Sequence, residues 1–137
     1  MLLMDLEVIK IAENTKNYKY VKNHSDKYKH KNSICGDEIE ITLKIRDRKI
    51  IDFGYQTKSC IYCQASASLL SRVSKNKEIN EVNKFLKIAN DLFQNEHKST
   101  PKYWKSFNSI FKKDNLQRKD CLLLPINALR KIINRYD

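Results

Sequence analysis

Residues 38–57 constrain the fold more than any other stretch. Ile39, Ile41, Leu43 and Ile45 alternate with Glu38, Glu40, Thr42, Lys44 and Arg46. Side chains on a strand point to opposite faces in turn, so this pattern predicts a half-buried strand over 38–46. Asp47-Arg48-Lys49 can turn the chain, and Ile51, Phe53 and Tyr55 resume the alternation over 50–57. Two such runs joined by a short polar turn predict an antiparallel hairpin.

Helical spacing governs most of the remainder. Leu2, Leu3, Leu6, Ile9, Ile11 and Ala12 predict an amphipathic helix over 2–13. Ala65, Ala67, Leu69, Leu70 and Val73 predict one over 61–74, where Ser66 and Ser68 are small enough for close packing. Ile79, Val82, Phe85, Leu86, Ala89, Leu92 and Phe93 form one stripe over 78–94. Pro101 suits the first turn of a further helix over 102–112. Its stripe of Tyr103, Trp104, Phe107, Ile110 and Phe111 reads as core rather than as a ligand face. Pro125 is read as the start of a last helix with Ile126, Leu129, Ile132 and Ile133 inward. Residues 15–34 are polar and basic without a clear period, which predicts a loop with a possible edge strand. The expected class is α+β, a small antiparallel sheet packed against several helices, and 137 residues fit a single domain over 1–137.

Lys and Arg number 27 against 16 Asp and Glu, a formal charge of +11. The densest basic segment, Lys16 to Lys31, interleaves Tyr18, Tyr20 and Tyr28. Cations among aromatic rings suit single-stranded nucleic acid, so a basic zinc-binding module that binds nucleic acid is the alternative reading. It ranks second because the lysines are spread along the whole chain. No run reaches the length of a membrane span, so no membrane partner is expected. Met1-Leu2-Leu3-Met4 is brief and Asp5 and Glu7 follow at once, so no secretory or transit segment is read and the expected location is cytoplasmic.

Four cysteines in such a chain point to metal ligation or reactive thiols rather than disulfides. Cys35-Gly36-Asp37 precedes the first hairpin strand, and Gly36 permits the tight turn that aims a thiolate and a carboxylate at one point. Cys60 follows the second strand. The hairpin therefore brings Cys35 and Asp37 close to Cys60, and a helix N-terminus beside Cys60 favours its thiolate. Cys121, placed just before the final helix, can complete the cluster. Three thiolates and a carboxylate suit a tetrahedral zinc ion or an iron–sulfur cluster. Each cysteine also has a plain reading as a small buried residue, strongest for Cys121 beside Leu122-Leu123-Leu124. Cys60 and Cys63 form a CxxC, which read alone suggests a redox pair or half of a zinc ribbon; Cys63 is read as packed, or as a thiol reactive under oxidative stress. His24, His30 and His97 lie in polar stretches and read as solvated.

Three motifs resemble those of the NifU/IscU-like iron–sulfur scaffold family. Asn32-Ser33-Ile34-Cys35-Gly36-Asp37 is similar to its N-P-x-C-G-D motif, with Ser33 where proline is usual. Ser59-Cys60-Ile61-Tyr62-Cys63-Gln64-Ala65-Ser66-Ala67-Ser68 is similar to G-C-x-x-x-x-A-S-x-S, with Ser59 where glycine is usual. Arg118-Lys119-Asp120-Cys121 is similar to the R-x-x-C that carries the third cysteine. The motifs stand in the family's order over nearly the whole chain. Scaffolds of the IscU type have histidine where Asp120 stands and an L-P-P-V-K stretch where this chain has Asn115-Leu116-Gln117-Arg118-Lys119. No Hsp70-type handover is therefore expected there. The longer spacer around Lys98 to Lys113 resembles the SufU-type branch.

The resemblance implies an iron–sulfur cluster assembly protein. By motif position, Cys35, Asp37, Cys60 and Cys121 would hold zinc, or a transient Fe–S cluster in the scaffold branch. A PLP-dependent cysteine desulfurase would be the partner, with Fe–S acceptor or assembly proteins downstream. Cys35, on the loop before the strand, is the expected sulfur acceptor and Cys121 the rival, with Asp120 disfavouring its thiolate. Arg118 would steady a persulfide or steer a partner, or be a solvated surface residue. Such a relay is at most a sulfurtransferase-like step, so the sequence leaves open whether the chain counts as an enzyme.

Overall fold

The structure, a computed structural model, describes residues 6–33, 36–93 and 102–136. Its helices are α1 (Leu6–Ala12), α2 (Ile61–Ser74), α3 (Ile79–Ile88) and α4 (Lys119–Ile133). Its strands are β1 (Asp26–Lys31), β2 (Glu38–Arg46) and β3 (Lys49–Lys58). Tighter 3₁₀ segments follow α3 over Ala89–Phe93 and fill Lys102–Ser109, Lys113–Arg118 and Asn134–Tyr136. The strands form one antiparallel sheet in the order β1-β2-β3.

The hairpin forms as the alternation requires, with Ile39, Ile41 and Leu43 inward and no more than 1% exposed. Asp47 and Arg48 have φ of 52° and 60°, so a two-residue turn of left-handed residues closes it. One detail differs from the alternation. Lys44 pairs with Asp52 but Ile45 pairs with Ile50, leaving Ile51 as an unpaired extra residue. This β-bulge turns Ile50 into the core, fully buried, and leaves Ile51 half-buried. β1 supplies the edge strand, with Tyr28 and His30 half-buried on one face and Lys27, Lys29 and Lys31 exposed on the other.

The helices pack on the inward face, with α4 against β1 and β2, α2 against β3, and α1 and α4 both against α2. The segment over 17–21 wraps the free edge of β3: Tyr18 bridges Tyr55 in parallel, the Asn17 amide reaches Ser71 of α2, and the Val21 N–H reaches Thr42 Oγ1 on the opposite face. The Lys19 N–H bonds to the Tyr55 carbonyl at 3.1 Å, and the Asn17 carbonyl receives the Tyr55 N–H at 3.1 Å. Gly54 admits this strap, because a Cβ there would lie 2.5 Å from the Lys19 carbonyl oxygen.

The final helix differs from its sequence reading. It begins at Lys119, so Pro125 sits inside it and Cys121 lies in its first turn. An interior proline removes one helical donor. Deep burial around it, with Leu122, Leu124 and Ile126 no more than 2% exposed, compensates by holding the apolar run helical. The stripe after Pro101 is core, as read, but 3₁₀ rather than α-helical. Trp104 stacks on Phe85 with centroids 4.3 Å apart, and Phe107 and Phe111 close the cluster at 5.3 Å. The side chain of Tyr103, residues 2–5 and Pro101 lie outside the described residues. Among the described residues, no helix is long and apolar enough to cross a membrane.

Candidate metal centre

The open end of the hairpin builds the site. Glu38 and Lys58 are the last partners of the β2–β3 ladder, so Asp37 and Cys60 leave the sheet side by side. The loop before β2 is closed by two backbone hydrogen bonds: the Asn32 N–H donates to the Asp37 carbonyl and the Gly36 N–H to the Asn32 carbonyl, both at 2.8 Å. Gly36 has φ of 79°, a left-handed conformation natural to glycine. Cys60 has extended backbone and caps α2, its carbonyl accepting the Gln64 N–H at 3.1 Å. The Cys60 N–H donates to Asp37 Oδ2 across a long 3.5 Å.

Cys121 arrives from the other direction. α4 crosses α2, and Ser66 Oγ, fully buried, donates to the Leu122 carbonyl at 2.6 Å. That bond fixes the residue after Cys121 against the helix that follows Cys60. The carboxylate of Asp37 and the sulfurs of Cys60 and Cys121 consequently lie within 4.8 Å of one another, all half-buried. Sulfurs bound tetrahedrally to one zinc stand about 3.8 Å apart, so these donors are within reach of a single ion. Their chemistry fits zinc or an iron–sulfur cluster better than magnesium or calcium, which take oxygen ligands. Cys60 and Cys121 each lie at the start of a helix. Cys35, the fourth residue named from sequence, lies outside the described residues.

Cys63 stands apart from this cluster. It is fully buried, with Thr57 Oγ1 3.9 Å from its sulfur. Burial pushes its thiol up to about 12, and the negative charge of Cys60 and Asp37 adds to the effect. A thiol held protonated and sealed from water is a packing residue, so the packed reading of the CxxC prevails over the reactive one. The histidines are less solvated than their surroundings in sequence suggested. His24 Nδ1 lies 2.8 Å from the Val21 carbonyl, while burial and the Lys131 charge hold the His30 imidazole below its usual range. Neither joins the donor cluster, and His97 lies outside the described residues.

Sequence reasoning missed Tyr62. The Arg118 guanidinium lies over its ring, 5.2 Å from the centroid, between the starts of α2 and α4. The rings of the basic, Tyr-rich segment each contact another ring, while Tyr18 and Tyr20 stay exposed: Tyr18 meets Tyr55 edge-on at 5.3 Å, Tyr20 meets His24 at 5.3 Å, and Tyr28 lies beside His30 at 5.9 Å.

The family model described as the NifU-like N terminal domain matches residues 5–117. The chain is 30% identical over 105 residues to the "Iron-sulfur cluster assembly scaffold protein IscU 1" of Archaeoglobus fulgidus, a match covering 77% of this chain and 58% of that protein. The chain thus spans little more than half the length of that relative. It is 32% identical over 63 residues to the "Zinc-dependent sulfurtransferase SufU" of Bacillus subtilis, covering 46% of this chain and 43% of that one. In fold it is similar to the crystal structure of the N-terminal part of a nitrogen-fixing NifU-like protein from Brucella abortus. That match has a TM-score of 0.80 at 21% identity and covers 96% of this chain and 92% of the other.

Proposed function

This chain belongs to the NifU-like N-terminal domain family, and from that premise we propose that it is an iron–sulfur cluster assembly protein whose working site is Cys35, Asp37, Cys60 and Cys121. The observation that carries the reading is the convergence of Asp37, Cys60 and Cys121 from three separate elements onto one half-buried point. A static zinc staple would be served as well by four thiolates. A carboxylate is a harder and weaker partner for zinc, and it makes one arm of the site easier to release.

Each residue then has a task. Cys60 and Cys121 are anchors, set by helix starts that do not need to move. Asp37 is the releasable arm. Cys35, beside the left-handed Gly36, is the sulfur acceptor, with Cys121 as the rival. Bound zinc supplies charge that keeps the thiolates deprotonated. The transfer itself is an exchange: the Cys35 thiolate attacks the outer sulfur of a persulfide carried by a PLP-dependent cysteine desulfurase. A new S–S bond forms on Cys35 and the desulfurase cysteine leaves as thiolate, with no external oxidant. The same four donors suit a nascent Fe–S cluster as cargo, which agrees with the scaffold named in Archaeoglobus fulgidus.

Metal analysis of protein purified without oxygen tests the reading. About one zinc or one cluster per chain is expected, lost in Cys35→Ala and Cys121→Ala. Protein that carries no metal and is indifferent to both substitutions overturns it. Stimulation of a cysteine desulfurase marks the relay role, and a cluster that can be built and passed on marks the scaffold role.

A further inference from the structure

Resting on the proposed metal site, we infer that Tyr62 is a positioning residue: its ring holds Arg118 between the starts of α2 and α4, and so sets the spacing and the electrostatics of Cys60 and Cys121.

Tyr62 is the second residue of α2, two places after Cys60. Arg118 is the cap of α4, three places before Cys121. The guanidinium lies 5.2 Å from the ring centroid, within the range of a cation–π contact. This contact joins the two ligand-bearing helix starts at the surface. Beneath it, Ser66 joins the same two helices through the buried bond to the Leu122 carbonyl. The helices are therefore fastened at two depths. The inner fastening lies in the core, and the outer one joins residues two places after Cys60 and three places before Cys121.

The choice of a ring over a carboxylate has a chemical consequence. Three thiolates and a carboxylate around a divalent ion carry a net charge of about −2. An Asp or Glu at position 62 would also hold Arg118, but it would add another negative charge beside that site and neutralise the arginine. The tyrosine ring anchors the cation through its quadrupole and leaves the positive charge intact. Arg118 thus keeps its charge three places before Cys121. Tyr62 acts through Arg118 and touches no reacting atom.

The test is a cobalt(II) titration of the metal-free, reduced full chain, read by thiolate-to-cobalt absorption and by the d–d bands that report tetrahedral geometry. Zinc back-titration then gives the zinc affinity. Tyr62→Phe keeps the ring and should match the unaltered chain. Tyr62→Leu keeps apolar bulk without a π face and should bind about two- to fivefold more weakly, with altered d–d bands. Arg118→Ala should weaken binding at least as much. Tyr62→Leu combined with Arg118→Ala should be no weaker than Arg118→Ala alone, because both remove one interaction. Thermal unfolding of each metal-free variant separates loss of fold from loss of site. Equal affinities for Phe and Leu at position 62, or additive losses in the double variant, overturn the inference and leave the metal-site reading standing. An unaltered chain that binds neither cobalt nor zinc overturns both.

Discussion

Glu38 and Lys58 face each other on the last rung of the β2–β3 ladder, and that pairing carries Asp37 to Cys60 across 23 residues of sequence. The register that decides it is fixed from the far side. Ile39, Ile41 and Leu43 must point into the core, and a one-residue slip would expose all three. The candidate metal site therefore inherits its geometry from the apolar face of a strand that contributes no donor of its own.

Asp37 is expected to be the arm that makes the site exchangeable. Asp37→Cys would complete a four-thiolate set, which binds zinc more tightly and opens less readily. Zinc release to a chelator should slow on the order of tenfold, and sulfur acceptance from a desulfurase should fall with it. Release as fast as in the unaltered chain would show that the carboxylate is not the labile ligand.

Cys63 gives the folded chain a sensitivity to alkali. Its thiol is raised by burial to about 12 in the fold, while an unfolded cysteine titrates near 8.5. The folded state therefore holds its proton more tightly. Its contribution to stability is complete below about pH 8.5 and is lost as pH rises through the folded value. Between those limits metal-free, reduced protein should lose about 1.4 kcal/mol per pH unit from this group. Cys63→Ala should flatten that slope in metal-free protein and still bind metal when it is supplied. Urea unfolding at pH 8, 9 and 10 measures it, and identical slopes in the two proteins would refute the assignment.

Much of this was readable from the residues, for physical reasons that also explain what was not. The hairpin, α2 and α3 were legible because their apolar residues recur with the period of the element. β1 was nearly hidden, because Tyr28 and His30 make a weak apolar face. The bulge at Ile51 was invisible, since the unpaired residue is chosen by cross-strand pairing and not by local pattern. Pro125 misled because proline favours the first turn of a helix, whereas here core packing holds an interior one. At the site, the approach of Asp37 to Cys60 follows from the hairpin alone. The approach of Cys121 depends on α2 crossing α4, which spacing does not encode, and the family motifs supplied what periodicity lacked. The ring of Tyr62 over Arg118 belongs to the same hidden class.

Gly54 is expected to be intolerant of any side chain. A methyl group there would stand 2.5 Å from the Lys19 carbonyl and 3.0 Å from both Thr42 Oγ1 and Val21 Cγ2. The first neighbour is backbone and cannot rotate away. Gly54→Ala should therefore lift the strap from the sheet and strain the Val21 N–H bond to Thr42 Oγ1, which is 3.0 Å long. A loss of about 1–3 kcal/mol is expected in urea unfolding. Faster amide exchange at Lys19 and Val21 would place the damage at the strap, and an unchanged midpoint would exclude the close approach.

Ser66 tests whether the inner fastening between α2 and α4 is structural. Its hydroxyl is fully buried and donates to the Leu122 carbonyl at 2.6 Å. That carbonyl lies in the first turns of α4, where a second lone pair can accept a side-chain donor as well as a helical one. Ser66→Ala removes the donor and leaves a void of one oxygen, costing about 1 kcal/mol. The loss should appear in metal-free protein and persist at the same size when zinc is bound. Tyr62→Leu should do the reverse, leaving the metal-free midpoint nearly fixed and lowering only the gain on adding metal. Unfolding the two variants with and without saturating zinc separates the roles. If Ser66→Ala weakened zinc binding without moving the metal-free midpoint, the two fastenings would have to exchange places: Ser66 would be tuning the site and Tyr62 supporting the fold.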